Sequence, residues 1–211
     1  MQRGIELHVR GRSRYVSRGG YKLAAGLDTF GVDPRGLVCL DVGCSTGGFT
    51  DCLLRRGAAV VYAVDVGYAQ FDWSLRQDSR VTLFERTNIT ELSQKPGIPL
   101  FDLAVCDVSF TSVLTVAPAV FGLLNAGGTF LTLVKPQFEA RREEVGEGGI
   151  VRSEEVHRNV LERVSAGLGE FGFDVQGACD SPIAGRKGNH EFLMLAKKPI
   201  PFVTLGAVDL A

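Results

Sequence analysis

Short apolar runs, each bounded by glycine, proline or aspartate, recur along this chain with room for one helix between them. They fall near residues 37–42, 59–65, 81–84, 101–107 and 128–134 and are rich in β-branched side chains. Apolar content without polar alternation is the pattern of parallel strands buried on both faces. The intervening periodicity predicts helices near residues 47–56, 68–77 and 111–124, with Pro118 kinking the last or marking its true start. Upstream, a helix is predicted from about Arg18 to Phe30, capped by Ser17 and ended by Gly31. Downstream, Ser153 opens a helix to about Glu170, although Ser-Glu-Glu-Val follows the capping-box pattern only loosely. Two closing strands near residues 173–180 and 191–197 flank a turn-rich stretch. The expected fold is α/β and Rossmann-like, a mostly parallel seven-stranded sheet with helices on both faces. Residues 139–150, charged and glycine-rich, have the length of a mobile lid.

The first strand runs into Asp41-Val-Gly-Cys-Ser-Thr-Gly-Gly-Phe49, and a helix-like run leaves it. A strand that ends in a glycine-rich turn and feeds a helix brings a nucleotide-like ligand against bare backbone. The next strand ends at Asp65, where a carboxylate can accept both hydroxyls of a ribose. The glycines at 43, 47 and 48 do not form the G-x-G-x-x-G dinucleotide pattern. Asp41 within the turn would repel a pyrophosphate. A ligand with a positive centre and no phosphate fits better, and S-adenosylmethionine has that character; a purely structural strand–turn–helix corner is the bland alternative.

Composition changes this picture little. The chain has 211 residues, 45% of them hydrophobic and 22% charged, with 26 glycines and a net charge of −1, so it reads as one globular unit with no global attraction to nucleic acid. The distribution says more, because Arg3, Arg10, Arg12, Arg14, Arg18 and Lys22 face only Glu6 over the first 22 residues. Such an arm suits phosphate tracking, or is simply a solvated tail. Five cysteines form no zinc-like spacing, and Cys39, Cys106 and Cys179 read as small buried hydrophobes. No metal site is expected. No apolar run approaches the ~18 residues of a membrane helix, no membrane partner is expected, and the cytoplasm is the natural reading.

Several blocks, in order, carry a family resemblance: Tyr15-Val-Ser-Arg-Gly-Gly-Tyr-Lys-Leu23, the Asp41 turn through Asp51, Tyr62-Ala-Val-Asp-Val-Gly-Tyr68, Glu85-Arg-Thr-Asn88, Cys106-Asp-Val-Ser-Phe110, Leu133-Val-Lys-Pro-Gln-Phe-Glu139 and Gly188-Asn-His-Glu191. Over residues 15 to about 198 the chain resembles the methyltransferase domain of the TlyA family, haemolysin-like ribosomal RNA methyltransferases of the FtsJ type. The resemblance implies residues 1–16 as a basic arm or linker, 17–198 as the catalytic domain and 199–211 as a tail. The family's usual S4 RNA-binding domain has no counterpart in this sequence, so a truncated or naturally shortened form is expected.

The same resemblance implies 2′-O-methylation of ribose, with cytidine targets in 30S or 50S subunits, by a tetrad falling on Lys22, Asp107, Lys135 and Glu191. Two of these are also reached from the residues alone. Asp107 ends the fourth strand and Lys135 the fifth, so both face the crevice beyond the strand C-termini where open α/β sheets bind ligands. Lys22 and Glu191 rest on the resemblance, since each by itself reads as a surface charge. Lys135 is the central group, either accepting the hydroxyl proton when neutral or steering the hydroxyl and stabilising negative charge. Asp107 and Glu191 orient it, and Lys22 completes the network. Cofactor contacts are expected from Gly43, Ser45, Gly47, Gly48, Phe49, Asp65 and Asp107, with Asn88 at the adenine edge. Asp41 either binds the methionine amino group or only shapes the turn. His157 and His190 read as partly exposed and structural.

Absences narrow the reaction. The N/D-P-P-Y/F run of base N-methyltransferases is replaced by Asp107-Val-Ser-Phe110, and no Pro-Cys pair marks base C5-methylation. Three rivals stand beside the enzyme: a haemolysin, a non-catalytic cofactor- and rRNA-binding assembly factor, and a small-molecule O-methyltransferase. The membrane reading lacks a spanning segment, the tetrad argues against pure binding, and the basic arm favours RNA.

Overall fold

A computed structural model describes residues 13–185 and 187–201. The first twelve residues, with most of the basic arm, and the tail beyond 201 lie outside that description. The described chain runs α1 (Gly19–Phe30), β1 (Val38–Val42), α2 (Gly48–Arg55), β2 (Val60–Val64), α3 (Trp73–Arg76), β3 (Val81–Phe84), α4 (Ile89–Leu92), β4 (Phe101–Cys106), α5 (Val113–Leu123), β5 (Leu124–Val134), α6 (Pro136–Glu139), α7 (Glu154–Glu170), β6 (Asp174–Asp180) and β7 (Phe192–Lys197). The seven strands form one sheet in the order β3-β2-β1-β4-β5-β7-β6. Pairing is parallel from β3 through β5, and β7 joins antiparallel to both β5 and β6.

Strand alternation divides the core between two faces. Leu40, Val42, Ala104, Cys106 and Phe130 pack with α5 and α7. Cys39, Leu103, Val105, Leu131 and Leu133 pack with α1 and α2 on the other side. Helices thus cover both faces, as continuous apolar strands require.

Several boundaries differ from expectation. The helix near 68–77 contracts to Trp73–Arg76, capped by Asp72, and the short α4, capped by Asn88, was not foreseen. Single-turn helices are shorter than any window over which periodicity can register. Pro118 lies inside α5 without ending it, because the helix buries Val113, Val116, Ala117 and Val120 against the sheet. Ser17 does not cap α1; Arg18 occupies that position without a side-chain cap bond. Gly31 closes α1 in the left-handed conformation and Ser153 caps α7 as expected. The stretch expected as a mobile lid begins at the last residue of α6 and contains two 3₁₀ turns, Arg142–Glu144 and Glu147–Gly149.

Candidate active site

Register explains why four charged residues from distant parts of the chain converge. Val42 pairs with Cys106 and Cys106 with Thr132, so β1 and β4 end at one level and β5 runs two residues further, to Val134. Asp107 follows β4 there. At the end of β5, Val134 pairs with Phe192 of antiparallel β7, which sets Lys135 beside Glu191. The sheet order also reverses direction between β1 and β4, the switch point at which α/β sheets open a ligand crevice.

Lys135 Nζ lies 2.5 Å from Asp107 Oδ1 and donates to Ser109 Oγ at 2.8 Å. The contact with the carboxylate lacks the alignment of a hydrogen bond and is an ion pair. Lys22, on α1, donates to Glu191 Oε2. Lys22, Lys135 and Glu191 are 7%, 8% and 3% exposed, respectively, while Asp107 keeps a quarter of its side chain open at 25%. The four residues therefore form two ion pairs, Lys22–Glu191 buried and Asp107–Lys135 facing the crevice. A buried pair of this kind orders its surroundings, because either charge alone would be strongly destabilising.

The turn after β1 is shaped by backbone. Gly43 has φ +79°, and a Cβ there would meet the Asp107 carbonyl at 2.8 Å, so only glycine lets the ends of β1 and β4 approach this closely. Ser45 also has positive φ, +46°. Its N–H donates to Asp65 Oδ2 at 2.7 Å, and Gly67 N–H donates to Asp65 Oδ1 at 2.6 Å. Asp65 thus ties the ends of β1 and β2 and still presents lone pairs toward the crevice.

Other expected contacts are placed differently. Phe49 is buried in the α1–α2 core, with its ring against Gly19, and offers no side chain to a ligand. A Cβ at Gly48 would overlap Ser17 Oγ and crowd Gly20 N, and one at Gly47 would strike Leu75 and Phe71, so both glycines are also required by packing. Asn88 is exposed, and its Oδ1 accepts from Thr90 N–H and Oγ at 3.1 and 3.0 Å to cap α4. Asp41 lies within β1, not in the turn. It is 0% exposed, and its Oδ2 accepts from Thr50 Oγ1 at 2.6 Å, tying the strand to α2. Its Oδ1 is buried without a partner. His157 is buried, against expectation, while His190 is exposed and stacks on Phe192. Cys44 and Cys52 are buried along with Cys39 and Cys106.

Burial first, then the Asp107 and Asp65 carboxylates, push Asp41 up to about 7 against the opposing pull of the Thr50 hydroxyl. A carboxyl whose folded value is raised binds more protons folded than unfolded, so it weakens the fold as pH rises from about 4 to about 7. Asp41→Asn is expected to gain stability over the unaltered chain across that window, on the order of 4 kcal/mol at its upper end. Urea unfolding at pH 5 and pH 8 checks this, and an equal difference at both pH values would refute it.

Two residues beside Asp107 join the candidate site only in the structure. Ser109 and Phe110 stand in the Cys106–Phe110 block, yet nothing in their type announced a role. Phe110 is 91% exposed with φ +63°, and its ring lies 5.1 Å from that of Phe138, centroid to centroid. A large apolar side chain held open on an uncommon backbone conformation marks function more often than packing. Among the described residues no group of His, Cys, Asp and Glu could hold a metal, and no helix is long and apolar enough to cross a membrane.

A switch-point crevice with a glycine turn, a carboxylate at the end of β2 and charged groups at the strand ends is the arrangement of a Rossmann-like methyltransferase. The FtsJ-like methyltransferase family matches residues 15–198. The candidate rRNA methyltransferase YqxC of Bacillus subtilis is 48% identical over 92% of this chain and 70% of its own length. The 16S/23S rRNA (cytidine-2′-O)-methyltransferase TlyA of Mycobacterium tuberculosis is 43% identical over 85% of this chain and 67% of its own. Among solved structures, a candidate hemolysin of Streptococcus thermophilus superposes with a TM-score of 0.85 at 44% identity, covering 93% of this chain and 72% of that one. The chain belongs to the FtsJ-like methyltransferase family, alongside the TlyA and YqxC proteins.

Proposed function

We propose that this chain methylates the 2′-hydroxyl of cytidine in ribosomal RNA, with S-adenosylmethionine as donor, in the cytoplasm where ribosomal subunits are found. The observation that carries the reading is the Asp107–Lys135 pair at the crevice mouth, backed by buried Lys22–Glu191. The M. tuberculosis relative's activity supports the same substrate class.

The residues fit the donor. Asp65 is placed to accept ribose hydroxyls, the Gly43–Ser45 turn allows close backbone approach, and the partnerless Asp41 Oδ1 is an acceptor beneath that turn. When bound, S-adenosylmethionine supplies an electrophilic methyl group on a sulfonium. The protein's own task is positioning, since holding donor and hydroxyl together replaces a bimolecular step. Lys135, held between Asp107 and Ser109, steers the hydroxyl and stabilises the negative charge that grows on its oxygen. Lys22 and Glu191 fix the frame behind it.

Exposed groups on this face suit RNA. Arg14 and Arg18 are exposed on the approach to α1, and Arg86 stacks over exposed Tyr68 at 4.0 Å. Phe110 offers a free ring for a base unstacked from its strand. Phe110→Ala is expected to leave donor affinity unchanged and to cost about 1–3 kcal/mol in productive RNA engagement, a rise of roughly tenfold or more in apparent KM for the subunit. Steady-state kinetics with varied subunit concentration would show it, and an unchanged KM and kcat would remove Phe110 from the site.

Nucleoside mass spectrometry of rRNA tests the whole reading in a host deprived of its own enzyme. With this gene 2′-O-methylcytidine should appear, and without it the modification should be absent. Methylation of a base in place of the ribose would refute the proposal.

A further inference from the structure

Asn189 takes no part in the chemistry above, yet its side chain is buried and fully engaged. Its Oδ1 accepts the Val151 N–H at 3.0 Å, and its Nδ2 donates to the Gly149 carbonyl at 2.9 Å. Its own carbonyl accepts from Gly185 N–H at 2.8 Å. The backbone carbonyl of Asn189 therefore closes the turn before β7, and its side-chain amide fastens the 3₁₀ segment after α6 to that turn. The far side of that segment is held as well, since His157 Nε2 on α7 donates to the Val151 carbonyl at 3.0 Å.

The turn in question carries Glu191. Gly185, whose N–H is held by the backbone carbonyl that the Asn189 side chain anchors, is the wall against which the Glu191 carboxylate rests, because a Cβ there would overlap Glu191 Oε1. Any loosening of the turn moves that wall and with it the partner of Lys22. The chemistry of the clamp demands an amide. A carboxylate would set a negative charge against the Gly149 carbonyl, and an aliphatic side chain would leave the buried Val151 N–H without an acceptor.

We propose that Asn189 is a positioning residue that locks residues 146–151 to the turn at 185–189 and so fixes Glu191 against Lys22 for methyl transfer. The proposal rests on the methyl-transfer reading, which activity of the unaltered chain tests before any variant is made.

The test compares Asn189→Ala, Asn189→Asp, Glu191→Gln and the Asn189→Ala/Glu191→Gln double variant in the full chain. Three readouts are taken: amide exchange at Val151, S-adenosylmethionine affinity by calorimetry, and single-turnover transfer to ribosomal subunits. Asn189→Ala should speed exchange at Val151 about tenfold and slow transfer about 10- to 100-fold. Donor affinity should move less than about threefold, because the turn that would hold the donor is elsewhere. The double variant should be no slower than Glu191→Gln alone, the signature of two residues acting through one element. Should Asn189→Ala not fold, the isosteric Asn189→Asp carries the same comparison. Additive losses in the double variant would overturn the proposal, as would unchanged transfer with a freed Val151 amide. A merely structural residue would lower donor affinity and transfer together, and that outcome would overturn it too.

Discussion

Lys135→Ala is expected to lower methyl transfer to ribosomal subunits by about 10²- to 10⁴-fold while donor affinity stays within about threefold. The separation follows from geometry. Lys135 reaches the crevice from the end of β5 and touches Asp107 and Ser109, whereas the glycine turn and Asp65 hang from β1 and β2. Removing the ammonium would delete the group proposed to steer the hydroxyl and meet its developing charge, and would leave the proposed donor cradle as it was. Lys135→Arg keeps the charge but does not restore the rate, since a planar guanidinium is larger and distributes its donors as a fork. Single-turnover assays paired with calorimetry measure both quantities. A Lys135→Ala rate within tenfold of the unaltered chain would remove Lys135 from the reaction.

Glu191→Ala destabilises the fold by about 3–5 kcal/mol. The substitution leaves Lys22, only 7% exposed, as a buried ammonium without its carboxylate, and an uncompensated charge inside a protein is among the costliest single changes. Against a typical total of about 5–15 kcal/mol, that loss would be visible as a large drop in the urea midpoint. The pair Lys22→Met/Glu191→Leu should recover most of the stability, because apolar residues of similar volume can replace a buried ion pair at little cost. It should recover no activity. Stability regained without transfer would assign Lys22–Glu191 a role beyond holding the fold together. A loss below about 1 kcal/mol for Glu191→Ala, the range of exposed pairs, would contradict the burial argument.

The sheet was legible because its strands are buried on both faces and so read as apolar runs whatever their neighbours. Asp107 and Lys135 were legible for the same reason: a charge that closes an apolar strand has few places to go but the crevice. Lys22 and Glu191 were not legible from pattern. A lysine on an amphipathic helix reads as surface, and only the antiparallel register of β7 against β5 brings Glu191 to Lys135 and then to α1. At Phe49, Gly47 and Gly48 the sequence does not reveal a packing demand. Their motif reads as a ligand cradle, but here it also has to seat α2 against α1 and α3, and tertiary packing claims those positions. The stretch after α6 looked mobile because it is charged and glycine-rich. Hydrogen bonds from Lys187 to the Gly148 carbonyl and from Asn189 to Gly149 and Val151 order it, and such long-range partners leave no periodic trace.

Purified 30S and 50S subunits lacking the modification, incubated with this chain and S-adenosylmethionine labelled in the methyl group, give the most direct test of the central claim. The label is expected in 2′-O-methylcytidine after nuclease digestion, and is expected to vanish with Lys135→Ala. No label in rRNA from either subunit, with donor binding intact, would contradict the account.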